Sequence, residues 1–172
     1  MKPLFDPTLA LRVLNEHKVD YILIGGLAGE LLGAPLATND IDICYRRTAE
    51  NMDRLANALR QLNAKLRVAA VDEDLPFIVD GRTLAAGDSF TFLTDAGDFD
   101  VLGTPSGTGG FRDLDAGATA FDLGDGLVVR IVALDDLIRM KEAAARPKDA
   151  AHLNVLTELK RTIENSGRTS RE

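Results

Sequence analysis

An α/β (α+β) chain is predicted, with strands and helices interleaved at the front, two strand pairs in the middle and two helices at the end. Three observations carry this. The runs YILI and IDICY are short, apolar and rich in β-branched residues; SFTFLT with FDVLGT, and TAFDL with LVVRIVA, are strand-like runs flanking turn residues; and other stretches repeat apolar residues every three or four positions.

The elements follow in order. Thr8 is placed to cap a first helix, LALRVLNEHK, in which Leu9, Val13 and Leu14 recur at helical spacing. Tyr21 to Ile24 reads as a central strand that enters a tight turn at Gly25 and Gly26. LAGELLG is a short helix stopped by Gly33 and Pro35. Ile41 to Tyr45 is a second strand, with Asp40, Asp42 and Cys44 on one face and Ile41, Ile43 and Tyr45 on the other. Thr48 and Asn51 open a long helix over TAENMDRLANALRQLNA, with Met52, Leu55, Leu59 and Leu62 on its apolar stripe. From Arg67 to Gly87 the pattern is mixed, acidic VDEDLP leading into FIVDGRTLAAG. A hairpin then turns through DAGD, the glycine-rich SGTGGFRDLDAG forms a loop with a helical turn, and a second hairpin crosses Gly124 to Gly126. Helices over Leu134 to about Ala144 and Pro147 to about Ile163 close the chain; Pro147 suits a helix start, where its missing N–H would be unpaired.

With 172 residues, 45% of them hydrophobic, the chain can bury one sizeable core, so a single domain over 1–165 with a polar tail at 166–172 is expected. The net charge of −7 repels polyanions, and any nucleic-acid contact must come from a local basic patch. One cysteine, Cys44, excludes an internal disulfide framework and a cysteine-rich zinc site. Pro3, Asp6 and Pro7 interrupt the start where a signal peptide needs an apolar stretch, and no run approaches the roughly 20 apolar residues of a membrane span. A cytoplasmic protein with no membrane partner is the expectation.

The chemistry concentrates in IGGLAGELLGAPLATNDIDI, where thirteen residues separate Gly26 from Asp40. Residues two apart on a strand point the same way, so Asp40 and Asp42 lie roughly 7 Å apart along the backbone and can converge on one cation. Burying two like charges is unfavourable unless they are paired or hold a metal, and carboxylates with room for waters suit Mg²⁺ or Mn²⁺. Gly25 and Gly26, lacking Cβ, let backbone N–H groups approach an anion such as phosphate. GGLAGE is not the G-x-G-x-x-G dinucleotide fingerprint. A third carboxylate can come from GDFDVLG: Asp100, deeper in its strand, is the better placed, with Asp98 as the alternative. Arg139, Lys141, Arg146 and Lys148 fall within ten residues and form a local basic patch. Lys148 would stand in the first turn of a helix, where the macrodipole disfavours a cation, and a bound anion would account for it; Arg139 alone is better read as a solvated side chain.

These residues resemble the DNA polymerase β-type nucleotidyltransferases, whose signature is an apolar residue followed by G[G/S], then nine to thirteen residues, then two aspartates around an apolar residue, with a third acid on a later strand. Ile24, Gly25, Gly26, Asp40, Asp42 and Asp100 occupy those positions. Within that superfamily the chain looks most like the minimal AbiEii-like toxins of abortive-infection and type IV toxin–antitoxin systems, which share the later lysine and an R-x-K-D segment, here Lys141 with Arg146, Lys148 and Asp149. The likeness spans roughly Tyr21 to Leu156. Two positions depart from it. Related chains often carry arginine two residues before the threonine of T-x-D-x-D, where this chain has Leu36, and an acid three residues after R-x-K-D, where it has His152.

The resemblance implies a nucleotidyltransferase fold, a mixed central β-sheet flanked by helices with the C-terminal helices packed on it. It implies Mg²⁺ (or Mn²⁺) held by Asp40, Asp42 and Asp100, an NTP substrate, and transfer of NMP to an acceptor hydroxyl with release of pyrophosphate. Gly25, Gly26, Lys141, Arg146 and Lys148 would grip phosphates, Thr38 would contact phosphate or orient its strand, and Asp149 would support them. The expected acceptor is RNA such as a tRNA end, with protein or a small molecule as alternatives, and a cognate antitoxin protein is a further expected partner. A non-catalytic module that binds nucleotide or a partner is the rival reading. Transfer to an antibiotic hydroxyl ranks below both, because 172 residues leave no separate acceptor-binding domain.

Overall fold

A computed structural model describes residues 3–67 and 79–169. Seven strands form one mixed sheet in the order β3-β4-β5-β2-β1-β7-β6. They are β1 (Tyr21–Ile24), β2 (Asp40–Tyr45), β3 (Lys65–Leu66), β4 (Ser89–Thr94), β5 (Gly97–Leu102), β6 (Thr119–Asp122) and β7 (Val128–Ile131). The helices are α1 (Pro7–Glu16), α2 (Gly25–Leu31), α3 (Ala49–Gln61), α4 (Gly81–Ala86), α5 (Phe111–Asp115), α6 (Leu134–Ala144) and α7 (Pro147–Thr169). Among the described residues no helix is long and apolar enough to cross a membrane.

The two motif strands lie at the centre. β1 is buried along its whole length, as its unbroken apolar run requires, and pairs antiparallel with β2 and parallel with β7. β2 pairs parallel with β5. Both alternate: Ile41, Ile43, Phe99 and Val101 are fully buried, while the acids between them are only partly covered. The expected hairpins are present as β4–β5, where Gly97 takes φ +104° after the turn, and as β6–β7. Tyr45, Phe92, Leu55, Leu59 and Leu62 join the same buried core.

Four expectations change. The first helix is capped by Asp6 rather than Thr8: the Asp6 carboxylate accepts the Leu9 N–H at 3.0 Å, and Pro7 takes the first helical position. The second begins at Gly25 itself, inside the expected turn. The last helix runs past Ile163 to Thr169, into the expected polar tail. In the mixed stretch, Asp80 caps the short helix α4 by accepting the Thr83 N–H; VDEDLP and the two residues after it lie outside the described residues.

Candidate active site

Four aspartates share one face of the sheet because β2 and β5 are parallel and in register: Asp40 stands opposite Asp98, and Asp42 opposite Asp100. Carboxylate oxygens of Asp40, Asp42 and Asp100 all lie within 4.8 Å of one another. Asp98 is drawn to the side, its Oδ2 accepting from Arg67 at 3.2 Å. Of the two candidates on β5, it is therefore Asp100 whose oxygen clusters with those of Asp40 and Asp42.

The cluster is electrostatically unfavourable as it stands. Burial, then the charges of Asp40 and Asp100, then a hydrogen bond shared with Asp100, push the Asp42 carboxyl up to about 8 against the opposing pull of Lys141. Oδ1 of Asp100 is enclosed and meets no hydrogen-bond partner among the described residues. Three crowded carboxylates with an unsatisfied buried oxygen fit a hard divalent cation, which would offset the repulsion and take the open lone pairs.

The glycine bend is shaped by this cluster. Gly25 has φ +73°, and a Cβ there would fall 2.2 Å from Oδ2 of Asp42; a Cβ on Gly26 would fall 2.9 Å from Cβ of Thr38. Thr38 is tied on both sides: its N–H donates to Oε1 of Glu30 at 3.1 Å, and its hydroxyl donates to the Asp40 carboxylate. Its observed contacts hold the Asp40 end of β2 in place. Glu30, which anchors the 34–39 segment to α2, has no local sequence signal that would single it out.

Two cations of the basic patch, Lys141 and Arg146, converge on one buried acid. Asp149, 2% exposed, receives Nζ of Lys141 at 3.0 Å and Nε of Arg146 at 2.8 Å, and reaches back to the Arg146 backbone N–H at 3.2 Å in the manner of a capping-box acid. Burial opposes the Asp149 charge, but these hydrogen bonds and the two cations outweigh it and hold the carboxyl at about 2. Arg139 is committed elsewhere, to Asp113 and Asp136. Lys148 has no ion pair among the described residues and stands in the first turn of α7.

Front and rear motifs face a common cavity of about 380 Å³, lined by Gly25, Gly26, Thr38, the four aspartates, Lys141, Arg146, Lys148, Asp149 and His152. Leu36 is not on this wall; its side chain lies 2.8 Å from where a Cβ on Gly29 would stand, beside Leu156 and Leu137. Leu102, Pro105 and Met140 also line the cavity, an apolar side that no motif indicated.

No family model matches the sequence, and no curated protein matches it. Solved structures do. The lincosamide antibiotic adenylyltransferase LnuA, with lincomycin bound, superposes with a TM-score of 0.59 at 15% identity, over 91% of this chain and 99% of that one. TM1012 of Thermotoga maritima, which bears a provisional nucleotidyltransferase name, superposes with a TM-score of 0.51 at 16% identity, over 88% and 94%. The chain thus has the fold of these nucleotidyltransferases, mixed sheet and flanking helices included.

Proposed function

We propose that this chain is a metal-dependent nucleotidyltransferase, moving NMP from an NTP to an acceptor hydroxyl. The observation that carries the reading is the meeting of Asp40, Asp42 and Asp100 within 4.8 Å beside the Gly25 bend. These three would hold Mg²⁺ or Mn²⁺, which when bound neutralises triphosphate charge and favours ionisation of the attacking hydroxyl. The backbone of Gly25 and Gly26, with Lys141, Arg146 and Lys148, would face the phosphates, and Asp149 would hold the first two cations in place. The acceptor oxygen bonds to the α-phosphorus as the bond from that phosphorus to the bridging oxygen breaks. Pyrophosphate leaves, and Asp100 takes the hydroxyl proton.

For the acceptor, the AbiEii-like R-x-K-D segment supports an RNA terminus such as a tRNA end, and with it a toxin role opposed by an antitoxin. A small-molecule hydroxyl is the second reading. The match to lincomycin-bound LnuA covers 99% of that chain, so a separate acceptor domain is not a requirement of this fold, and the reason for ranking this reading last falls away. The apolar side at Leu102, Pro105 and Met140 also suits it.

Incubation with Mg²⁺ and each labelled NTP, against total RNA and against hydroxyl-bearing small molecules including lincomycin, tests both. Transfer that disappears in Asp42→Asn is expected, and the labelled species identifies the acceptor class. Binding of Mn²⁺–NTP by calorimetry without transfer to any acceptor would favour the sensor module, and failure of the folded chain to bind Mn²⁺–NTP would overturn the reading.

A further inference from the structure

α7 presents Lys148, Asp149 and His152 on one face, at spacings of three and four residues. Asp149 is spent on Lys141 and Arg146. His152 is different. The residue lines the cavity, and its Nδ1 is enclosed without a hydrogen-bond partner among the described residues. One turn further on, Leu156 is fully buried, with its Cδ2 3.4 Å from where a Cβ on Gly29 would stand, and Leu36 lies at the same place. His152 therefore sits one turn before the point where α7 packs against Gly29 of α2 and Leu36, and it lines the same cavity as Gly26 and Thr38.

Resting on the nucleotidyltransferase reading, we infer that His152 is a binding residue for the leaving phosphates, with an imidazole N–H donating to a β- or γ-phosphate oxygen next to Lys148. The chemistry of the wall favours an anion there over a base or an acceptor. The exposed lysine one turn before His152 has no ion pair among the described residues, the glycine bend lines the same cavity, and the apolar side chains at Leu102, Pro105 and Met140 belong to other elements, β5, the loop after it and α6. An imidazole serves this end by presenting an N–H donor to a phosphate oxygen.

Calorimetry with Mn²⁺–pyrophosphate and with Mn²⁺–NTP tests the assignment without turnover. His152→Leu is expected to weaken both by about tenfold, the usual scale for one hydrogen bond to a charged partner. His152→Gln, which keeps a donor, is expected to stay within about threefold of the parent. His152→Asp, which sets a negative charge against the phosphates, is expected to bind more weakly than His152→Leu, and gives a second reading should the leucine variant fold poorly by circular dichroism. Unchanged pyrophosphate affinity in the folded leucine or aspartate variant would overturn the inference. So would a loss confined to NTP, which would place His152 against the base or ribose. If the parent chain binds neither ligand, the nucleotidyltransferase reading itself falls, which is a separate result.

Discussion

Asp42 and Asp100 face each other as register partners on adjacent parallel strands, and a hydrogen bond between their carboxyls helps keep a proton on the pair. The arrangement is unfavourable to the empty protein and favourable to a cation. Stability and metal binding should therefore respond to pH in opposite directions.

The sign follows from the raised Asp42 value of about 8 against an ordinary 3.8. Between these limits the folded chain holds a proton that the unfolded chain has lost, so metal-free stability falls as pH rises from about 4 to about 8, by at most about 1.4 kcal/mol per pH unit for this one group. Mn²⁺ must displace that proton, so the gain in Tm on adding Mn²⁺ should grow over the same window. Thermal unfolding with and without Mn²⁺ from pH 5 to 8.5 checks this; a metal shift that shrinks with rising pH would contradict it.

Asp42→Asn separates function from stability. At pH 7 the parent must take up a proton at Asp42 in order to fold, a cost that asparagine does not carry, so the metal-free variant should be more stable than the parent, on the order of 2 kcal/mol. It should also lose Mn²⁺–NTP binding. Denaturant unfolding and calorimetry on the same preparation read both effects, and a variant less stable than its parent would show that the carboxyl is satisfied by the protein alone.

Gly25 and Gly26 should differ although they are adjacent. Alanine at Gly25 meets both a left-handed backbone and an overlap at 2.2 Å with the Asp42 carboxylate, so it should destabilise the chain by about 2 kcal/mol and displace that carboxylate. Alanine at Gly26 keeps an ordinary backbone and meets Cβ of Thr38 at 2.9 Å, so the 34–39 segment must shift but no carboxylate is overlapped, and a smaller loss of Mn²⁺ affinity is expected. Tm and Mn²⁺ affinity of the two variants give the comparison, and equal effects would mean that contact with Asp42 does not set the requirement for glycine.

Much of this site was legible because it obeys local rules. A period of two put Asp40 and Asp42 on one face, glycine after an apolar run marked the bend, and Pro147 marked the start of α7. The pairing of β2 with β5 was not visible, because nothing local in either strand fixes which of Asp98 and Asp100 stands beside Asp42; the register decides, and Arg67 then engages Asp98. Partnering among charges was equally hidden. Lys141, Arg146 and Lys148 read alike as a basic patch, yet only folding shows two of them committed to one buried acid. The cap at Asp6 was missed because Thr8 is also a good capping residue, and what decides between them is Pro7, which takes the first helical position directly after Asp6.

That buried acid gives the last prediction. Asp149 is held at about 2, below its ordinary 3.8, so it contributes stability that is fully present above about pH 4 and lost as pH falls toward 2. The expected contribution is about 2 kcal/mol. Asp149→Asn keeps the shape but leaves Lys141, which is 14% exposed, without its counter-charge, and removal of one member of a buried pair destabilises by about 3 kcal/mol. The variant should lose stability at pH 7 and show a flatter acid limb between pH 4 and 2, because the group that titrates there is gone. It should also weaken Mn²⁺–NTP binding, since Lys141, freed from Asp149, is no longer held at the cavity wall beside Asp42. Acid unfolding followed by circular dichroism, with calorimetry at pH 7, distinguishes the outcomes. A loss of stability with NTP affinity intact would make Asp149 a structural anchor of α7 alone, whereas loss of both ties the helix cap to the nucleotide site.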